Sequence, residues 1–201
     1  MNNIETPTNS LVDKYIDRFN MDLRYSKSDK AIISLFEAFP ENKQLEHILL
    51  KISVINDLYS TNILSTFNMA LHIQKIDIDS RLIQGDPLLV SDISSGHGII
   101  TKKNNKEIIF YSFATKYCNW HNQDEYAIYD SFVHKILNAY KVRDHFSNFT
   151  ETDLRNYTKF KKIVMDFKRF YNLNELDLKK IDKFLWIYGK EKFPTNYKKK
   201  E

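Results

Sequence analysis

The sequence predicts an all-α protein, a compact multi-helix domain, and three observations carry that expectation. Apolar residues recur at spacings of three and four through most of the chain. With 4 Gly and 4 Pro in 201 residues, the chain lacks the tight turns that an all-β sandwich or barrel needs. A hydrophobic fraction of 42%, with 14% aromatics, is enough for one substantial core. The expected organisation is a single helical domain over 1–201, with a central unit at 87–140 and C-terminal helices at 152–190.

Taken in order, a first helix follows the cap signal Asn9-Ser10, with Leu11, Tyr15, Ile16 and Phe19 on one face. Ile32, Ile33, Leu35 and Phe36 place a second over 28–38, stopped before Pro40. A long stripe of Leu45, Ile48, Leu49, Ile52 and Ile55 follows, and Tyr59-Ser60-Thr61-Asn62 breaks it. Leu64, Phe67, Met69, Ala70 and Ile73 define the next helix, and a short one covers 77–82 before Gly85. Asp86-Pro87 opens another, because proline lacks only a donor that the first turn leaves unpaired.

The connector 94–106, SSGHGIITKKNNK, then leads into a helix expected over 108–121. A second reading folds 98–110 into a short β-hairpin around Asn104-Asn105. Ile128, Phe132, Val133, Ile136, Leu137 and Tyr140 mark the following helix, and segments 152–171 and 176–188 mark two more.

Composition narrows the function classes. No apolar run approaches the roughly 18 residues of a membrane span. The opening MNNIETPTNS lacks the basic-then-apolar order of a signal peptide, so a cytoplasmic protein without membrane partners is expected. The single cysteine, Cys118, excludes an internal disulfide and any cysteine-rich zinc site. His134 and His145 lack metal-ligand spacing, and no metal or other cofactor is expected. Net charge is a mild +4, but Lys102, Lys103 and Lys106 cluster in the connector, and Lys159, Lys161, Lys162, Lys168 and Arg169 crowd one later segment. Such clusters suit a phosphate backbone, and equally suit a solvated helix face.

The stretch 113–137, FATKYCNWHNQDEYAIYDSFVHKIL, carries the chemistry. Lys116 lies on a polar strip with Ser112 and Asn119, and Asp130 stands where a helix N-cap belongs. Each has an ordinary reading, an exposed helix lysine and a capping acid. Together they have another: a partly desolvated amine can attack a sugar carbon, while a carboxylate stabilises the positive charge that develops there. Capping and catalysis do not compete at Asp130, since the helix dipole keeps the acid ionised.

The order helix, glycine-containing connector, helix, link, aspartate, helix resembles the helix-hairpin-helix DNA glycosylases, in particular small bacterial proteins with the 8-oxoguanine DNA glycosylase fold. Thr115-Lys116-Tyr117 and Ile128-Tyr129-Asp130-Ser131 carry the resemblance. It implies a base-excision N-glycosylase, with or without AP-lyase activity, acting on a damaged or modified base flipped out of double-stranded DNA. By that analogy Lys116 is the nucleophile and Asp130 the transition-state stabiliser. Gly96, His97, Gly98, Lys102, Lys103 and Lys106 would contact DNA, and Trp120, His121 and Tyr129 would line the base pocket. The connector is longer than the tight glycine turn of that family, and one cysteine cannot hold the iron–sulfur cluster of some of its members. The alternatives are a helical nucleic-acid-binding protein without the chemistry, and an antiphage-defence or protein-interaction module.

Overall fold

Side chains that cap their own helices set most of the element starts. Thr8 accepts from Leu11 N at the head of α1 (Asn9–Met21), and Asp22 accepts from Arg24 N and Tyr25 N at the head of α2 (Leu23–Ala38). That cap starts α2 five residues before the expected position, leaving only Asp22 between the first two helices. There follow α3 (Leu45–Tyr59), α4 (Thr66–Lys75), α5 (Asp79–Ile83) and α6 (Leu88–Ser94). Next come α7 (Tyr111–His121), α8 (Ser131–Asp144), a 3-10 turn at Asp153–Arg155, α9 (Tyr157–Phe170) and α10 (Leu178–Lys192). The computed structural model describes residues 4–101 and 103–194. Among them the fold is all-α, as the spacing predicts, and no helix is long and apolar enough to cross a membrane.

The connector takes the hairpin form. Ile108 N donates to Ile99 O and Thr101 N to Lys106 O, around an antiparallel bridge between Ile100 and Glu107. This pairing uses the backbone of Ile108, and Phe110 N donates to Ser94 O, so α7 begins at Tyr111 rather than at 108. The turn is the bridge of a broad loop, not a tight glycine turn between two helices.

α10 lies between α1 and α8, and α1 continues onto α2. α3 meets α2, α4 and α7, while α6 joins α7 and α9. An aromatic column holds α1, α8 and α10 together: Tyr15 meets Tyr188 edge-on at 4.9 Å, Phe184 stacks on Tyr188 at 5.3 Å, and Tyr140 lies 6.4 Å from Tyr188. Such pairs stabilise by about 1 kcal/mol beyond their buried area. Gly189 lets α8 and α10 meet closely, since a Cβ there would stand 2.7 Å from Phe132 O.

Gly189→Ala therefore separates two opposing effects. Helix propensity alone would stabilise the protein by roughly 1 kcal/mol. The backbone contact predicts instead a loss of about 1–3 kcal/mol, typical of overpacking, and a lower midpoint in urea or thermal denaturation.

Candidate functional site

The link between α7 and α8 is tied down by three side chains from one turn of α7. Tyr129 O accepts from Ser112 Oγ at 3.0 Å and from Lys116 Nζ at 3.3 Å, while the Thr115 hydroxyl, which donates to Ser112 O at 3.0 Å, lies 3.5 Å away. Thr115 Oγ1 also accepts from Tyr129 N at 3.1 Å. Residue 129 is thereby pinned in both backbone directions, and the next residue is Asp130. The Thr-Lys pair thus fixes the amine close to the acid through the intervening backbone.

Asp130 is the N-cap of α8. Its backbone is extended, and Oδ1 accepts from Phe132 N at 2.8 Å and Val133 N at 2.9 Å. Among the described residues no side chain or amide bonds its Oδ2. Lys116 is buried, with Nζ also donating to Ser112 Oγ at 2.6 Å and Ser112 O at 3.3 Å, and with the Tyr59 ring centroid 5.4 Å away. Its hydrogen-bond partners are neutral. Burial pushes the amine below its usual value, against the opposite pull of Asp130 and Asp182.

Lys116 and Asp130 line the same cavity, of about 630 Å³. It lies where α1, α2 and the end of α3 face α7, the start of α8, and α10. Lys116, Asn119, Trp120 and Gln123 project into it at helical spacing from α7 and the residues just after it.

Asp182 of α10 also lines it and is 5% exposed. Its Oδ2 accepts from Ile128 N at 3.1 Å and Asn119 Nδ2 at 3.3 Å, while its Oδ1 is buried with no partner among the described residues. Burial raises this carboxyl well above the ordinary range, with Asp130 adding to the rise; the Ile128 N–H and Lys116 oppose it. Asp182 is therefore driven toward the neutral acid. Trp120 Nε1 is likewise buried, and among the described residues the Tyr59 hydroxyl stands near it. Buried polar atoms without partners are uncommon, and the one at Asp182 marks a place in this hollow for a ligand's polar edge.

The other residues named from sequence are placed as follows. His121 does not line the cavity: its Nε2 lies 3.2 Å from Lys51 Nζ and its ring meets Phe36 at 4.7 Å. Tyr129 turns its ring away as well, onto Tyr111 at 4.8 Å and Phe160 at 5.5 Å, so it contributes its carbonyl and not a stacking surface. His97 is buried rather than solvent-facing, accepting from Ile99 N at Nδ1 and reaching Ser94 O from Nε2. Gly96 and Gly98 have positive φ, but Gly98 N donates to Glu107 Oε1 at 2.9 Å. Glu107 also accepts from Gly96, and these bonds hold its carboxyl below the ordinary range. The two amides expected to meet phosphate are thus already occupied by an internal carboxylate. Lys103 and Lys106 are exposed, and Lys102 lies outside the described residues. None of the described connector residues among these, Gly96, His97, Gly98, Lys103 and Lys106, lines the cavity.

Sequence reading missed the contribution of α10, from which Lys179, Asp182, Lys183, Trp186 and Lys190 face the hollow. The legible signal was a polar and aromatic stripe at spacings of three and four along a helix whose other faces carry Leu178, Ile181, Phe184 and Leu185.

Asp182 links the site to pH. A carboxyl whose folded pKa is raised contributes stability that is fully present below its unfolded value, near pH 4, and is lost as pH rises through the folded one. Asp182→Asn removes that loss, so the variant should gain on the wild type as pH rises from 4 to 7. The gain in urea denaturation should be at most about 1.4 kcal/mol per pH unit. Parallel stability curves for the two proteins would remove the neutral-acid assignment.

An uncharacterized protein of Haemophilus influenzae (strain ATCC 51907 / DSM 11121 / KW20 / Rd) is 46% identical over 153 residues, which is 76% of this chain and 71% of that protein. No solved structure matches the chain. Residues 11–125, which run from α1 to the end of α7 and include Lys116, match the family described as HI_0787_N, N-terminal domain, and the chain belongs to that family.

Proposed function

We propose that the protein is a DNA base-excision N-glycosylase with an associated lyase step, related to the helix-hairpin-helix glycosylases and acting on a damaged or modified base. The observation that supports this reading is that Lys116 and Asp130, from different elements, line one cavity large enough for a nucleotide's base and sugar. Burial favours the neutral amine that a nucleophile must present.

In the proposed reaction the Lys116 amine attacks C1′ of the deoxyribose. The N–C1′ bond forms as the bond from C1′ to the base breaks, and the electron pair leaves with the base, which takes up a proton. Positive charge builds on the sugar during this step, and Asp130 lies in the same hollow, its Oδ2 without a partner among the described residues, to stabilise it. Loss of the amine protons with opening of the sugar ring gives an imine between Nζ and C1′. Abstraction of a C2′ proton then expels the 3′ phosphate, and water releases the product. Asp182 Oδ1 and Trp120 Nε1 supply the polar groups for the base edge, and Trp186 adds an aromatic wall.

A second reading is a nucleic-acid-binding protein without catalysis. It draws on the three protein acceptors around Lys116 Nζ, which is how a structural lysine is held.

Borohydride separates the two. Incubation with DNA containing an abasic site, followed by reduction of the imine, should leave a covalent adduct that Lys116→Ala abolishes. DNA affinity that survives this substitution, with no adduct from the wild type and no base release, would establish the binding-only reading instead.

Asp130 allows charge to be separated from capping. Asp130→Asn keeps a capping oxygen and should hold stability within a few tenths of a kcal/mol, while Asp130→Ala should cost about 1 kcal/mol. Both should lower base release by on the order of a hundredfold, the scale of removing one electrostatic stabiliser. Loss of activity in the alanine variant alone would reduce Asp130 to a cap.

A further inference from the structure

The exposed part of the cavity is cationic. Arg24 of α2 and Lys179, Lys183 and Lys190 of α10 line it, and Asp29 is the carboxylate set among them. Lys179 and Lys183 are one helical turn apart and lean toward Asp29 together: Lys183 Nζ lies 2.6 Å and Lys179 Nζ 4.0 Å from its Oδ2. All three side chains are largely withdrawn from solvent, with 17%, 32% and 13% exposure for Lys183, Lys179 and Asp29. This is a built cluster and not a pair of waving surface lysines, and one carboxylate does not balance two ammonium groups. Lys190 adjoins it, donating to Tyr25 Oη at 2.7 Å with Nζ 4.8 Å from the Trp186 ring centroid. Arg24 Nη2 reaches the same phenol at 3.2 Å.

The connector offers no comparable place. The Gly96 and Gly98 amides are taken by Glu107, and Lys103 and Lys106 do not line the cavity.

We propose that Lys179 and Lys183 hold the DNA phosphate next to a nucleotide seated in the cavity, and that Asp29 occupies that phosphate's place in the free protein. The inference rests on the glycosylase reading and names the groups that position its substrate. A phosphodiester carries one negative charge on two non-bridging oxygens, so each ammonium can take one oxygen by a charge-assisted hydrogen bond. Displacing Asp29 exchanges one anion for another at the same two donors. Lys190 and Arg24 then flank the neighbouring backbone. Lys179 and Lys183 act as positioning residues, holding the backbone through the two ammonium groups that face Asp29 rather than taking part in the bond changes at Lys116.

Binding to a duplex containing a stable abasic-site analogue, measured by fluorescence anisotropy at several salt concentrations, tests this directly. The combined change Lys179→Gln with Lys183→Gln should weaken binding and flatten the slope of log affinity against log salt by roughly one for each lysine removed. Lys179→Arg with Lys183→Arg should retain the slope. Asp29→Asn should tighten binding, since the competing anion is gone. Lys103→Gln with Lys106→Gln should leave the slope near that of the wild type. An unchanged slope in the double glutamine variant, or a loss carried by the connector pair instead, would overturn the proposal. Should the double glutamine variant fail to fold, Asp29→Asn decides, and binding no tighter than wild type counts against it. A wild type that forms the borohydride adduct while its salt slope ignores Lys179 and Lys183 sinks this inference alone. A wild type that binds no DNA sinks it together with the glycosylase reading.

Discussion

The site depends on the peptide carbonyl of Tyr129. Ser112 Oγ and Lys116 Nζ donate to it from a single turn of α7, and a third bond runs from the Tyr129 N–H to Thr115 Oγ1. A carbonyl has two lone pairs, so two donors saturate it and hold the link in place. The consequence runs outward along the chain. Asp130 follows at once and starts α8 by capping it, α8 packs on α10, and α10 brings Asp182 back to face Lys116. Loosening the link would detach the acid from the amine and the head of α8 from α10 together. Function and fold share one set of hydrogen bonds here.

Electrostatics in the hollow follow from burial. Lys116 and Asp182 are both withdrawn from water, and each is driven toward its uncharged form, the amine downward and the carboxyl upward. Each opposes the other's shift, Lys116 the rise at Asp182 and Asp182 the fall at Lys116. At Asp130 two backbone N–H groups at a helix N-terminus satisfy one carboxylate oxygen. A buried amine, a buried carboxyl and a helix-capping acid thus line one cavity in different local environments.

The local features were readable from sequence, and the long-range ones were not. A capping Asp before an apolar run and Asp-Pro at a helix start act within a few residues, and the structure has helices starting at both. The Asp22 cap obeys the same rule, yet the expected start of α2 was placed on the apolar face instead of on the cap. The connector was legible only as two alternatives, because its choice of hairpin depends on Ile99 meeting Ile108 and on Glu107 filling the glycine amides. Asp182 lies 66 residues beyond Lys116 and meets it only because α10 packs on α1 and α8. Trp120 was assigned to the pocket and lines it, while His121, its neighbour, turns by about 100° around the helix onto Phe36 and Lys51.

Lys51 shows why burial alone does not define a site. It is fully buried, and burial pushes its amine down to about 8 against the pull of Asp79. By that measure it resembles Lys116. Its Nζ, however, donates to Phe39 O, Glu41 O and Asn42 Oδ1 at 2.8–3.1 Å, and Asn42 is itself bonded to Asp79 and Tyr117. These bonds stitch the turn between α2 and α3 onto α7, and Lys51 does not line the cavity. The two lysines share a desolvated ammonium and differ in what lies beyond it. Lys51 faces protein acceptors fixed on three sides, so its removal would leave carbonyls unpaired and nothing else to explain. Lys116 faces a hollow that is also lined by Asp182, whose buried Oδ1 has no partner among the described residues, and by the indole of Trp120. A lowered amine pKa states that a charge is costly, and only the space in front of it states whether chemistry can use that fact.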